Sequence, residues 1–167
     1  AQSKPCVPMP EPVMMPGSLS KMGDPNFLWT YRMPNGDPYA AVARWDSPDG
    51  KQVRPIIWNG EEFVTSGFGN NRPLYNSDLL SQSPLSPVLI VEGEKSADAA
   101  VGYVPAGWIV VTWQGGANAW MHTDWSSLSG HPSVLWPDND EAGIKAASGI
   151  RDHLQSLGIS GTVAELP

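Results

Sequence analysis

From Pro87 onward the sequence repeats one alternation: a short unbroken apolar run, then a stretch that reads as helix or glycine turn. The runs are VLIV (88–91), WIVVTW (108–113) and SVLWP (133–137). None shows the every-second-residue polarity of a strand with one wet face, so each is expected to be buried on both faces, as strands of parallel sheets are. EGEKSADAAVGY after the first run reads as a helix. GGANAW and TDWSSL after the second read as a glycine turn with short helical pieces. After the third, EAGIKAASGIRDHLQSLG (141–158) carries Ile144, Ala147, Ile150, Leu154 and Leu157 at intervals of three or four, a helical period that Gly158 would stop. TVAEL (162–166) is a fourth strand. Strand and helix in strict alternation predict an α/β domain, a parallel sheet of about four strands with flanking helices. Ligands bind such sheets at the carboxyl ends of the strands.

Upstream the grammar differs. Between residues 27 and 83, FLWTYRM, YAAVARWD, KQVRPIIW and NGEEFVT are separated by PNGDP, SPDG and further Asn-Gly signals. Short β-prone runs joined by such turns predict consecutive hairpins, here a small antiparallel β subdomain of three or four strands. RPLYNSDLL closes it as a short helical turn. Residues 1–26 hold six prolines and no sustained period, which reads as a Pro-rich linker or wrapping arm. The expected division is therefore 1–26, 27–83 and 84–167. The chain opens without a methionine and without the charged-then-apolar start of a signal peptide, and reads as an excised or processed piece.

One cysteine, Cys6, excludes a disulfide framework and argues against a cysteine zinc site; a reducing compartment fits. No stretch approaches a membrane span. The net charge of −7 argues against strong autonomous DNA binding, since nucleic-acid binders show a basic surface.

Acidic residues gather where the apolar runs stop. VLIV ends in Glu92, followed by Gly93, Glu94, Lys95 and Asp98; SVLWP ends in Asp138-Asn139-Asp140. Two like charges one residue apart repel, so stability alone does not favour the pair. If the strands are parallel neighbours, Glu92 and the aspartates share one edge. Carboxylates without His or Cys suit a hard cation, Mg²⁺ first, and Mg²⁺ held by few carboxylates keeps positions for phosphate oxygens. That chemistry serves phosphoryl or nucleotidyl transfer. Gly93 permits a close turn beside a ligand, and Gly143 is expected to serve packing or close approach near the second acidic loop.

Together, VLIVEGEKSADAA, TWQGGANAW and VLWPDNDEAG resemble the Toprim domain of bacterial-type primases, topoisomerases and some nucleases, over about residues 87–167. With Arg72-Pro73-Leu74-Tyr75-Asn76 upstream, the set is most similar to the DNA primases and primase-helicases of phages and mobile elements. The resemblance implies a Rossmann-type Toprim fold and metal-dependent synthesis of short RNA primers on single-stranded DNA. It implies ribonucleoside triphosphates as substrates and Mg²⁺ or Mn²⁺ as cofactor. A helicase domain in the same polypeptide and the cytoplasm of a bacterial host go with it. Carried over residue by residue, Glu92 is a metal ligand or general acid/base, and Asp138 and Asp140 hold the ions. Lys95 and Arg72 contact triphosphate or template, and Gly93, Gly115 and Gly116 approach the nucleotide. One position departs: an Asp sits four residues after the Glu in bacterial primases, and here that residue is Ser96. Asp98 or Glu94 is left to supply the third carboxylate.

Blander readings stand beside these. Asp138 and Asp140 are also helix caps, with Glu141 suited to a first turn. Lys95 and Lys145 read as surface charge, and Arg72 as one half of a structural ion pair. His122, His131 and His153 are too scattered for a ligand set. Of the eight tryptophans, Trp108, Trp113, Trp136, Trp29, Trp45 and Trp58 read as core, and Trp120 and Trp125 as candidates for exposed base stacking. A Toprim nuclease and a non-catalytic binding or scaffold module are the rival functions.

Overall fold

The computed structural model describes residues 4–164 of the chain, which divides into two compact units, Ala1–Asn70 and Asn71–Pro167. The last two residues of TVAEL, Glu165 and Leu166, lie outside the described residues.

The first unit is an antiparallel meander, β1 (Phe27–Arg32), β2 (Pro38–Ser47), β3 (Gly50–Trp58) and β4 (Phe63–Thr65), in the order β1-β2-β3-β4. The turns are those the sequence signals: Gly36, Gly50 and Gly60 all have positive φ, which costs glycine nothing. The segment before β1 lies along this sheet. Cys6 N donates to Trp58 O and Met9 N to Pro38 O, both at 2.7 Å. Met9 and Leu19, the latter in a 3-10 turn Gly17–Met22, are buried with Ala41, Ala43, Trp45 and Ile56. The small residues of β2 leave room for these side chains, so proline-rich chain covers one face of the sheet without forming a strand.

The second unit begins with α1 (Ser77–Gln82) and continues as β5 (Val88–Val91), α2 (Glu94–Ala100), β6 (Ile109–Val111), β7 (Ser133–Trp136), α3 (Glu141–Ser156) and β8 (Gly161–Val163). All pairings are parallel and the order is β6-β5-β7-β8. β5 leads outward to β6 on one side, and the chain then returns past it to β7 on the other. The direction of winding therefore reverses between β5 and β7. Alternation in β5 splits its side chains: Val88 and Ile90 pack with Ile150 and Leu154 of α3, while Leu89 and Val91 pack with Ala97 and Ala100 of α2. Both faces are apolar, which is why the run shows no period of two.

The helix α3 buries Ala147, Ile150 and Leu154 as its spacing predicts, but Ile144 and Leu157 are exposed. The buried stripe is narrower than the apolar spacing, because α3 lies mainly against β7 and β8. Trp136 is a second correction. Expected in the core, it is 54% exposed: it ends β7 on the face carrying Leu89 and Val91, where α2 covers β5 and β6 but not β7. Trp125, expected to be an exposed stacking platform, is 1% exposed. It packs against Trp113 with ring centroids 6.0 Å apart, and its indole N–H donates to Trp120 O at 2.9 Å.

No helix among the described residues is long and apolar enough to cross a membrane.

Candidate functional site at the strand ends

The register fixes which residues meet at the carboxyl edge of the parallel sheet. Val91 pairs with Trp136, so Glu92 stands beside Pro137, and Asp138 is one residue beyond. Ile90 pairs with Val111, which carries Gln114, Gly115 and Gly116 past the same edge on the other side of β5. Glu92, the Gly-Gly loop and Asp138 are thus gathered by three adjacent strands, at the point where the winding reverses.

Each piece is held by a specific contact. The turn after β5 is fixed by Thr112, whose fully buried hydroxyl accepts from Gly93 N at 2.9 Å. Gly93 has φ +86°, a conformation other residues adopt only with strain. Arg72 Nη1 donates to Gln114 O at 3.0 Å and also to the Gln114 side chain. Gly115 is required by this packing: a Cβ there would lie 2.7 Å from the Ala119 Cβ and 3.1 Å from Arg72 Nη1. Trp113 Nε1 donates to Gly116 O at 2.9 Å, and a Cβ on Gly116 would come within 4.0 Å of Glu92 Oε1. A guanidinium, a glycine loop and a carboxylate are therefore neighbours.

The remaining carboxylates have local duties. Asp140 is the N-cap of α3, its Oδ1 accepting from Gly143 N at 2.7 Å. Asp98, on α2, accepts from the Tyr75 hydroxyl at 3.0 Å. Burial, then the charge of Asp98 and its hydrogen bond, raise the Tyr75 phenol above the ordinary tyrosine range, with smaller contributions from Glu94 and Asp78. Glu94 opens α2, and Lys95 is exposed in its first turn. Asp138, Asn139 and Asp140 are exposed and Glu92 is half-buried.

Among the described residues, no three His, Cys, Asp or Glu side chains form a ready-made metal cage. The donor set still fits Mg²⁺ of one kind. That ion is commonly held by one or two carboxylates and completed by substrate phosphates and water. Glu92 and Asp138 supply hard oxygen donors at adjoining strand ends, beside a loop and an arginine suited to phosphate. From sequence, Thr112 and Gln114 enter only as part of TWQGGANAW and Tyr75 only as part of Arg72-Pro73-Leu74-Tyr75-Asn76, with no role of their own.

No protein-family model and no curated protein sequence matches the chain. Solved structures do. The primase fragment of the bacteriophage T7 primase-helicase protein aligns with TM-score 0.60 and 21% identity, covering 84% of this chain and 52% of that one. A chain in the structure of the bacteriophage T7 lagging-strand DNA polymerase interacting with primase domains of two gp4 subunits bound to an RNA/DNA hybrid and dTTP aligns with TM-score 0.52 and 20% identity. It is covered to 65%, against 84% of this chain. This chain therefore spans about half of the first neighbour and about 65% of the second. At such identities the likeness is one of fold: an antiparallel β unit followed by a parallel α/β unit is the architecture this chain shares with T7 primase structures.

Proposed function

We propose that this chain is the catalytic region of a DNA primase of the Toprim type, making short RNA primers on single-stranded DNA from ribonucleoside triphosphates. The observation that carries the reading is the placement of Glu92 and Asp138 on adjacent parallel strand ends, where the winding reverses, with Gly115, Gly116 and Arg72 beside them. The shared architecture with T7 primase structures supports it. Glu92 and Asp138 hold Mg²⁺ or Mn²⁺, which supplies charge neutralisation at the triphosphate. In the reaction the primer 3′-oxygen forms a bond to the α-phosphorus, the bond to the β-phosphate bridging oxygen breaks, and pyrophosphate leaves. In the alternative assignment Glu92 is the general base that takes the hydroxyl proton, with the metal resting on the aspartates. Arg72 and the Gly115-Gly116 backbone orient phosphate, and Lys95 contacts triphosphate or template. Asp140 adds its charge while capping α3. Because one structural neighbour is a piece of a primase-helicase protein, a helicase on the same polypeptide and action in a bacterial cytoplasm belong to the same proposal.

The test is template-directed incorporation of labelled ribonucleotides on single-stranded DNA with Mg²⁺ or Mn²⁺. Synthesis abolished by Asp138→Ala and by Glu92→Gln is expected. Synthesis retained in Asp138→Ala overturns the reading. Metal-dependent nicking of plasmid DNA without incorporation replaces it with a nuclease.

A further inference from the structure

Beneath the acidic edge, on the α2 face of the sheet, lies an open cleft of about 470 Å³. Its floor is Leu89 and Val91 of β5, and its wall is Ala100 at the end of α2 with Val104 in the turn beyond it. Trp136, 54% exposed, and Tyr103, 91% exposed, border it with aromatic surface. The remaining lining residues are Ser96 and Asp138. The cleft therefore spans β5 and β7, the two strands between which the winding reverses, which is where open α/β sheets take their ligands. Its volume lies within the range of small-molecule sites, and its lining is of their kind, mostly apolar and aromatic with few polar groups.

We propose that this cleft is a nucleobase subsite: it takes the heterocycle of a nucleotide against Trp136, with the sugar toward Asp138 and the phosphates out at the strand ends. The assignment rests on the proposed nucleotidyl-transfer site for the position of the phosphates. The cleft's own chemistry selects the base. An apolar floor does not solvate a phosphate, and the Asp138 carboxylate repels one that no cation accompanies. A flat heterocycle suits both, since every base has a π-face to offer an indole and little charge to desolvate. The sites of polarity, Ser96 and Asp138, suit a ligand with a planar body and a polar remainder. A second copy of the chain is the weaker occupant, because a net charge of −7 opposes self-association. Ser96 gains a meaning here. At this position a small hydroxyl lines the cleft without adding another carboxylate beside Asp138.

The experiment measures binding of ATP, UTP and inorganic triphosphate by calorimetry with Mn²⁺ present, on the wild type and on Trp136→Ala and Ala100→Phe. The first removes the stacking surface from an exposed position, and the second fills the cleft from α2. The nucleotides are expected to bind the wild type roughly tenfold more tightly than triphosphate, and both variants to lose that advantage while triphosphate affinity holds. Equal affinity for nucleotides and triphosphate in the wild type overturns the subsite, as does unchanged nucleotide affinity in both variants. If triphosphate does not bind at all, the metal reading has failed, and adenosine alone decides the cleft. Quenching of tryptophan fluorescence by adenosine that is lost in Trp136→Ala sustains it; absence of quenching overturns it. Concentration-dependent dimerisation abolished by Trp136→Ala also overturns it, in favour of an interface between copies.

Discussion

The Tyr75 hydroxyl donates to the carboxylate of Asp98 at 3.0 Å, tying the segment before α1 to the middle of α2. Tyr75 is also bridged through its backbone to Thr112, with Tyr75 N donating to Thr112 O at 2.9 Å, so the residue joins α2 to the end of β6. Because the phenol's proton is favoured by burial and by a neighbouring negative charge, the folded protein binds that proton more tightly than the unfolded chain does. The sign follows. This contribution is fully present below the unfolded tyrosine pKa of ~10 and is lost as pH rises from there toward the higher folded value. Spectrophotometric titration should show tyrosine absorbance still rising above the ordinary range near pH ~10, and Tyr75→Phe should remove part of that late rise. Denaturant melts at rising pH should show a smaller alkaline loss of stability in Tyr75→Phe.

Gly143 is the residue on which Asp138 leans. A Cβ at 143 would lie 2.6 Å from Asp138 O and 3.0 Å from Asp138 N, and both are backbone atoms that cannot swing aside. Gly143→Ala is therefore expected to destabilise the protein by about 1–3 kcal/mol, although alanine is the better helix former. Thermal unfolding checks the stability. Mn²⁺ binding should weaken in the same variant while the protein is still folded, because the displaced backbone carries Asp138 with it.

Gly149 gives the same reversal with a side chain as the obstacle. Its Cβ would meet Trp120 Cζ2 at 2.5 Å, within the packing that also brings Trp120 to 6.0 Å from the His153 ring. In an open helix interior, Gly→Ala gains about 1 kcal/mol. Here the half-buried indole must move, and Gly149→Ala should lower the denaturation midpoint instead. Gly149→Ala combined with Trp120→Ala should be less destabilised than the sum of the single changes, the mark of a direct clash.

The strands were legible because burial on both faces leaves an unbroken apolar run, and VLIV and SVLWP carry that signature without help from anything distant. The same property hid the side on which each residue sits. In SVLWP nothing distinguishes Leu135, which packs in the core with α3, from Trp136, which borders the open cleft; the difference lies in how far α2 reaches across the sheet. Trp125 was misread for a related reason. TDWSSL is too short for a period, and its burial comes from Trp113 and the chain around it. The acidic residues were legible one by one but not their partners. Thr112 reaches Gly93 across 19 residues and Tyr75 reaches Asp98 across 23, and no spacing rule spans such gaps. Asp140 was open to two readings, cap or ligand, and the cap is what its geometry shows.

Substitution at Asp140 separates those two duties. Asparagine caps a helix about as well as aspartate, through the same acceptor position to Gly143 N, while alanine removes the cap. Asp140→Ala should therefore cost about 1 kcal/mol in unfolding free energy and Asp140→Asn only a small fraction of that. The charge is a different matter. Asn supplies no negative charge to a divalent ion, so if Asp140 contributes to holding the cation, Asp140→Asn should weaken Mn²⁺ binding with little change in stability. Asp138→Asn, whose side chain caps nothing, should weaken it more. Should Asp140→Asn bind Mn²⁺ as the wild type does, Asp140 is a cap alone, and the cation rests on Glu92, Asp138 and the phosphates it accompanies.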